Sequence, residues 1–140
     1  MPWLREHLRK GTLTPFKIVR RRVRRSATKK SRAEHLVLGA AARALVTLRL
    51  DYFNHHYGFI YGKIFIRNTR TRWGSCSSKG NLGFNYRIIK LPPHLADYIV
   101  VHELCHLKEF DHSKAFWDLV AETIPHWKML SRELRKHRLQ

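Results

Sequence analysis

Apolar residues recur at helical spacing through the stretch that follows Ser31, and this pattern ends near Gly58. Ser31 and Glu34 have the spacing of a capping box, in which the two side chains close the first turn of a helix. Glycine at the far end can adopt the left-handed conformation that commonly terminates helices. The pattern therefore predicts one long helix between Ser31 and Gly58.

Two shorter segments have the composition of β-strands. Lys63–Arg67 alternates isoleucines around Phe65, and Leu82–Ile89 is rich in aromatic and β-branched residues. A Ser-Lys-Gly-Asn sequence before the second segment is typical of a turn. We expect the two segments to pair as an antiparallel hairpin.

The C-terminal half predicts three further helices. A proline pair opens a helix expected over residues 93–109, because proline is tolerated only in a first helical turn. Ser113 can cap the next helix, which Pro125 interrupts, and residues 127–138 form an amphipathic stretch that is basic at its end. The predicted class is α+β: a long N-terminal helix, a small antiparallel hairpin or sheet, and C-terminal helices.

Positive charge is concentrated at the N-terminus of this 140-residue chain, whose net charge is +18. Residues 1–32 hold twelve of the 28 lysines and arginines against one acid. We therefore divide the chain into a basic, flexible segment, 1–30, and one folded domain, 31–140. Segment 17–32 could contact DNA or RNA non-specifically through phosphates, form a short strand around Val19, or act as a solubilising arm.

Several absences indicate a cytoplasmic protein. No apolar run reaches the roughly 18 residues of a membrane span, and the N-terminus lacks the apolar stretch of a signal peptide. Cys76 and Cys105 lie too far apart to suggest the disulfide framework of a small secreted domain. Oligomeric state is left open by the sequence.

Candidate chemistry is concentrated in His102-Glu-Leu-Cys-His106, within the predicted 93–109 helix. Residues four apart on a helix differ by about 40° and about 6 Å, so His102 and His106 can converge on one ion. Glu103 projects about 100° from His102, where it can reach a water on that ion without ligating it. Cys105 points to the other flank and suits packing better than ligation.

A third protein ligand would leave one coordination position open, as in catalytic zinc sites. His112, ten residues after the first histidine of the motif, is the preferred candidate. To bring it back, the helix must end just after the motif, and Asp111 tolerates the left-handed conformation that such a turn requires. Glu109, Asp111 and Glu122 stay open as rival third ligands.

Such a site is suited to amide hydrolysis. Zn²⁺ lowers the pKa of water towards about 7, and Glu103 can accept that water's proton as general base and return it to the leaving nitrogen as general acid. A zinc-dependent peptidase acting on a protein or peptide is the first interpretation. A zinc hydrolase of a non-peptide amide or ester, and a nucleic-acid-binding protein with a non-catalytic zinc site, are the alternatives.

Linked sequence blocks resemble the YgjP-like metallopeptidase family. They are Thr71-Arg-Trp-Gly-Ser-Cys76, Asn81-Leu-Gly-Phe-Asn-Tyr-Arg87, Leu91-Pro-Pro93 and the stretch from His102 to Trp117. The resemblance implies a compact zincin-like metalloprotease domain, with zinc held by His102, His106 and His112 and Glu103 as catalytic acid and base. It is related to the SprT-like proteases and their relatives, some of which cleave proteins crosslinked to DNA, although fold alone does not determine substrate.

The same resemblance suggests where substrate binds. In zincins a strand beside the active-site helix holds the extended substrate, and the hairpin from Lys63 to Ile89 would do this here. Asn85 and Tyr86 are candidates on that hairpin. Trp73, Gly74 and Ser75 are candidates to line the cleft, against the alternatives of a core aromatic at Trp73 and a bulge or tight bend at Gly74.

The remaining aromatic residues are assigned by spacing. Phe116 and Trp117 share helical spacing with Val120 and are predicted to pack rather than to contact substrate. Tyr98, Tyr86 or His126 could stabilise the oxyanion that forms during hydrolysis, and the sequence does not choose among them.

Overall fold

The computed structural model describes residues 28–139, so most of the basic segment 1–30, including the strand considered around Val19, lies outside the described residues. The elements in chain order are α1 (Lys29–Tyr57), β1 (Ile64–Arg67), β2 (Gly74–Cys76), β3 (Leu82–Asn85), a 3₁₀-helix (Tyr86–Lys90), α2 (Pro93–Cys105), α3 (Lys114–Ala121) and α4 (Trp127–Leu134). The predicted α+β class is confirmed.

The N-cap of the long helix α1 lies three residues before the predicted cap, Ser31. Thr28 is the N-cap, and its hydroxyl accepts a hydrogen bond from the Ser31 amide at 3.1 Å. Ser31 is buried and donates to the Thr28 carbonyl, while Glu34 accepts from the Tyr86 hydroxyl, so the capping box predicted at these residues is wrong. The predicted end is confirmed: Gly58 has φ 67° and donates its amide to the Asn54 carbonyl.

The sheet has the strand order β1-β3-β2, which differs from the predicted hairpin. β1 runs parallel to β3, because the connection over residues 68–73 carries the chain past β3 to its far side. The antiparallel partner of β3 is β2, a strand that the sequence analysis missed. β3 is also shorter than the predicted Leu82–Ile89: the Asn85 side chain accepts from the Arg87 amide at 3.0 Å, and the chain turns into the 3₁₀-helix.

Helix α2 lies at the centre of the molecule, against α1, β2, α3 and α4. Nine of its residues are buried, because apolar side chains cover almost its whole circumference. Arg49 of α1 donates two hydrogen bonds to Asp97 of α2, at 2.7 and 2.9 Å, and so links the two helices. α2 ends at Cys105, four residues before the predicted boundary. None of the helices within residues 28–139 has the length and apolar character needed to cross a bilayer.

Candidate metal centre

Three imidazoles converge at the C-terminal end of α2. The Nε2 atoms of His102 and His106 lie 3.2 Å apart, and His112 places its own Nε2 at 3.0 Å from the first and 3.1 Å from the second. Within the described part of the chain, these histidines form the group of possible ligands able to share a metal ion. The structure therefore brings together the two histidines of the motif and the preferred third candidate.

The spacing of the nitrogens fits a tetrahedral ion. Three ligands at bond lengths of about 2.0–2.1 Å around such an ion lie about 3.3 Å from one another, close to the observed near-equilateral triangle. His106 and His112 are buried, and His102 is partly exposed. Three protein ligands leave one tetrahedral position without a protein donor, which is the arrangement of catalytic rather than structural sites.

The chain returns to the site through a tight turn. After α2 ends, the amides of Lys108 and Glu109 both bond the Cys105 carbonyl, at 3.1 and 3.0 Å. The left-handed conformation predicted for Asp111 is wrong, since positive φ angles in the described chain occur only at glycines. Ser113 then caps α3 as predicted, accepting from the Phe116 amide at 3.4 Å, and this places His112 at the helix entrance.

A backbone carbonyl in this turn sets the proton position on one ligand. His106 Nδ1 lies 2.9 Å from the Glu109 carbonyl oxygen, which can only accept. Nδ1 is therefore the donor, and the neutral ring leaves Nε2 unprotonated towards the other two histidines. An imidazole held in this tautomer is prepared to ligate a cation.

The rival ligands lie elsewhere. The Glu122 carboxylate is 3.0 Å from His56, in an exposed pair that joins α1 to the residues after α3. Asp111 is exposed, and Glu109 contributes its carbonyl rather than its carboxylate. Neither these three acids nor Cys105 belongs to the group that could share an ion.

Aromatic rings surround the histidines. Phe116, which is fully buried, stacks on His106 with ring centroids 4.4 Å apart and also meets the other two imidazoles edge-on. Trp117 stacks on His112 at 5.5 Å and on Trp127 at 3.9 Å. Sequence analysis assigned Phe116 and Trp117 to packing but did not identify the imidazoles as their partners. The available signal was the four-residue spacing from His112 to Phe116.

Glu103 lies against the backbone of β2. A Cβ atom added at Gly74 would lie 2.8 Å from Glu103 Cγ and 2.9 Å from Oε1, so only glycine leaves room for the carboxylate. Burial raises the pKa of Glu103 to about 8, and the positive charge of Arg72 opposes part of that rise. Gly74 is a predicted cleft residue, but its contact with Glu103 and the charge of Arg72 near that carboxylate were not predicted.

The other predicted substrate residues fall into two groups. Trp73 immediately precedes β2 and Ser75 follows Gly74 on it, and both are partly exposed. Asn85 and Tyr86 are buried within the fold. The Asn85 amide donates to the carbonyls of Thr69 and Arg72, and the Tyr86 hydroxyl donates to Glu34 at 2.9 Å. The structure therefore does not bring Asn85 and Tyr86 to the metal centre.

The oxyanion candidates have differing surroundings. The hydroxyl of Tyr86 is committed to Glu34 on α1. Tyr98 is buried with its ring edge against His102, its hydroxyl bonds Ser131, and burial raises its pKa to about 12. His126 is exposed at the N-cap position of α4. Neither tyrosine presents a free hydroxyl to the metal centre.

Comparisons with known proteins agree with this geometry. The chain matches the YgjP-like family, metallopeptidase domain, over residues 6–137. No curated protein matches it significantly. Among solved structures it is similar to the crystal structure of the metallopeptidase zymogen of Pyrococcus abyssi abylysin, with a TM-score of 0.60 and 25% identity over 65% of this chain and 92% of that one. With nearly its whole length matched, the chain belongs to the YgjP-like family of metallopeptidase domains.

Proposed function

We propose that this protein is a zinc peptidase in which His102, His106 and His112 hold the metal and Glu103 transfers protons. The observation that carries the proposal is the triangle of Nε2 atoms, 3.0–3.2 Å on each side, formed by histidines of which one directly precedes Glu103, whose carboxylate lies against Gly74. Imidazole donors suit zinc, copper, iron and nickel, and three imidazoles with one open position are typical of catalytic zinc. Family membership supports peptide bonds over non-peptide amides or esters as the substrate.

Zinc, when bound, supplies a Lewis acid that lowers the pKa of water and polarises the carbonyl under attack. Glu103 accepts the proton of the attacking water on a carboxylate oxygen and then delivers it to the leaving nitrogen. Its burial makes the protonated form accessible near neutral pH, and the positive Arg72 favours the ionised form that begins the cycle. The carboxylate can therefore act as base and acid within one turnover.

The edge strand β2 is the best candidate to align the substrate. β2 lies at one side of the described sheet. One of its edges pairs with β3, and its outer edge pairs with no strand of that sheet. Gly74 of this strand contacts Glu103. An extended peptide paired along the outer edge of β2 would therefore lie beside the Glu103 carboxylate. Trp73, Gly74 and Ser75 remain the proposed substrate contacts, and Asn85 and Tyr86 are left out because their side chains serve the fold.

The Glu103→Gln variant tests the proton-transfer role. We expect it to retain one zinc per chain and to lose peptide cleavage by roughly 10²–10⁴-fold, as removal of a general base does. Glu122→Gln is the matched control, because Glu122 was a rival ligand and lies on an exposed surface. Retained cleavage by Glu103→Gln, or loss of zinc from Glu122→Gln, contradicts the assignment.

Metal removal tests the ligand set. A chelator should abolish cleavage, and stoichiometric zinc should restore it. His112→Ala should lower zinc affinity strongly, whereas Asp111→Ala, its exposed neighbour, should not. Zinc content measured by elemental analysis at matched protein concentration separates the two outcomes, and equal zinc binding by both variants excludes His112 as a ligand.

A second candidate property, nucleic-acid contact, is supported by charge near the site. Asn68, in the connection from β1 to β2, donates to Ser31 at 3.3 Å, which places the start of α1 beside this connection. Cationic residues on these two segments and at the end of β1 are Lys29, Lys30, Arg32, Arg67, Arg70 and Arg72. We propose that this surface, which the basic segment 17–32 adjoins in sequence, binds DNA or RNA phosphates and brings nucleic-acid-bound protein substrates near β2.

Binding of fluorescent single- and double-stranded DNA tests this property. Replacing Lys29, Lys30 and Arg70 by alanine should weaken binding and reduce its dependence on salt. Alanine at Lys128, Arg132 and Lys136 removes equal charge from α4 and the residues that follow it, and is the control. Equal losses from both triple variants would show that only net charge matters, and no binding at low salt would exclude the interaction.

A further inference from the structure

Helix α1 presents an apolar face to solvent along most of its length. Four of its large residues are unusually exposed, with relative solvent exposures of 83% for Leu36, 76% for Val37, 65% for Leu48 and 64% for Tyr52. Between them lie four small exposed residues, Ala33, Ala40, Ala41 and Ala44. At 100° per residue these eight positions fall within an arc of about 160°, and they extend over about 28 Å. Apolar patches of this extent typically mark an interaction site.

One end of this face opens into a groove. Leu48 and Tyr52 line both the face and a groove of about 970 Å³, whose other walls are Asp51, Phe53, His55, His56 and Thr123. At the opposite end, Leu36 and Val37 project outwards. The helix thus carries protruding aliphatic side chains at one end, a groove large enough to receive them at the other, and small residues between.

We propose that this face docks against the same face of a second copy of the chain, with the two α1 helices antiparallel about a two-fold axis near Ala44. That axis places Leu36 opposite the partner's Tyr52 and Ala40 opposite the partner's Leu48. The groove of each copy then receives the protruding side chains of the other copy, so the two contacts are identical, as a two-fold interface requires. The alanines at the centre let the helices approach closely.

The available area is sufficient for a stable dimer. The eight side chains expose roughly 700 Å² per copy, so covering the whole face would bury at most roughly 1,400 Å² in total, which reaches the range of specific interfaces. The proposal does not depend on the metal centre, whose ligands lie on α2 and the turn that follows it.

Charge favours a second copy over the chain's own N-terminal segment. Six of the twelve residues from 16 to 27 are lysine or arginine. The exposed positions of α1 from 33 to 48 include no acid but do include Arg43, and Asp51 is exposed further along the helix, in the wall of the groove. A basic segment laid along this face would meet a single exposed carboxylate, that of Asp51, whereas a second α1 brings mostly apolar side chains to the contact.

Sedimentation of the full chain across a concentration series provides the test. We expect the mass to approach twice 16.7 kDa as concentration rises. Leu36→Glu and Leu48→Glu should each shift the midpoint to at least tenfold higher concentration. Ile60→Glu is the matched control, because Ile60 is 94% exposed and lies beyond the end of α1. A wild-type chain that stays monomeric throughout, or an equal loss with Ile60→Glu, overturns the proposal.

Cysteine crosslinking tests the orientation. Ala44→Cys, near the axis, should form a disulfide-linked dimer on mild oxidation, whereas Val37→Cys should not, because its counterpart lies far along the partner helix. The wild-type chain is the control, since Cys105 is buried and Cys76 is partly buried. Efficient crosslinking through Val37→Cys with none through Ala44→Cys would exclude the antiparallel arrangement.

Discussion

Gly74→Ala is the most informative substitution at the proposed active site. Its methyl group would lie 2.8 Å from Glu103 Cγ and 2.9 Å from Oε1, whereas comfortable carbon contacts are about 3.5–4.0 Å. The carboxylate must therefore move by roughly 0.7–1 Å. A displacement of that size costs about 10²-fold in rate, equivalent to about 2.7 kcal/mol of transition-state stabilisation.

The assay compares peptide cleavage and zinc content of the same preparations. Gly74→Ala should lose kcat and keep its zinc, because the three atoms nearest to the added methyl group all belong to Glu103 and none to a proposed ligand. Gly39→Ala, in the middle of α1, is the control: its Cβ meets only His35 at 3.7 Å, and alanine should stabilise the helix by about 0.5–1 kcal/mol. Wild-type turnover by Gly74→Ala would refute the argument that Glu103 needs this close approach.

Three further predictions concern stability and reactivity. Phe116→Ala should destabilise the fold by about 3–5 kcal/mol in denaturant titrations and should weaken zinc binding, because the ring packs against all three imidazoles. Gly58→Ala should cost about 1–2 kcal/mol from backbone strain alone, since φ is 67° and no atom lies within 4 Å of the added Cβ. Burial raises the pKa of Cys105 to about 12, so alkylation at pH 8 should require unfolding; because the unfolded thiol ionises first, stability should fall as pH rises from about 9 to 12. Rapid alkylation of the native protein would contradict the burial of Cys105.

Local patterns predicted the helices better than the sheet. The apolar periodicity of α1 and the glycine at its end identify a helix, but the cap was predicted at Ser31 and is Thr28, three residues earlier, because Ser31 is buried and Glu34 bonds Tyr86. Strand pairing is non-local. Nothing in the composition of residues 64–67 shows that β1 meets β3 in parallel while the three-residue β2 occupies the other side.

The part of the candidate site that lies on one helix could be predicted from the sequence. A four-residue spacing on one helix brings His102 and His106 together whatever surrounds them. The position of His112 depends instead on a turn in which the amides of Lys108 and Glu109 both bond the Cys105 carbonyl. Asp111 does not adopt the left-handed conformation that was predicted for this turn. The contact between Gly74 and Glu103 joins residues 29 positions apart, so it required the fold itself.

The two proposed interactions respond to salt in opposite directions, which allows one titration to separate them. Polyanion binding by the cationic surface releases counterions and should weaken steadily as salt rises. Self-association through α1 joins two chains of net charge +18 through a largely apolar face, so screening of their repulsion should strengthen it. If sedimentation without nucleic acid showed self-association weakening with salt, the contact would be ionic, and the apolar face of α1 would not be its site.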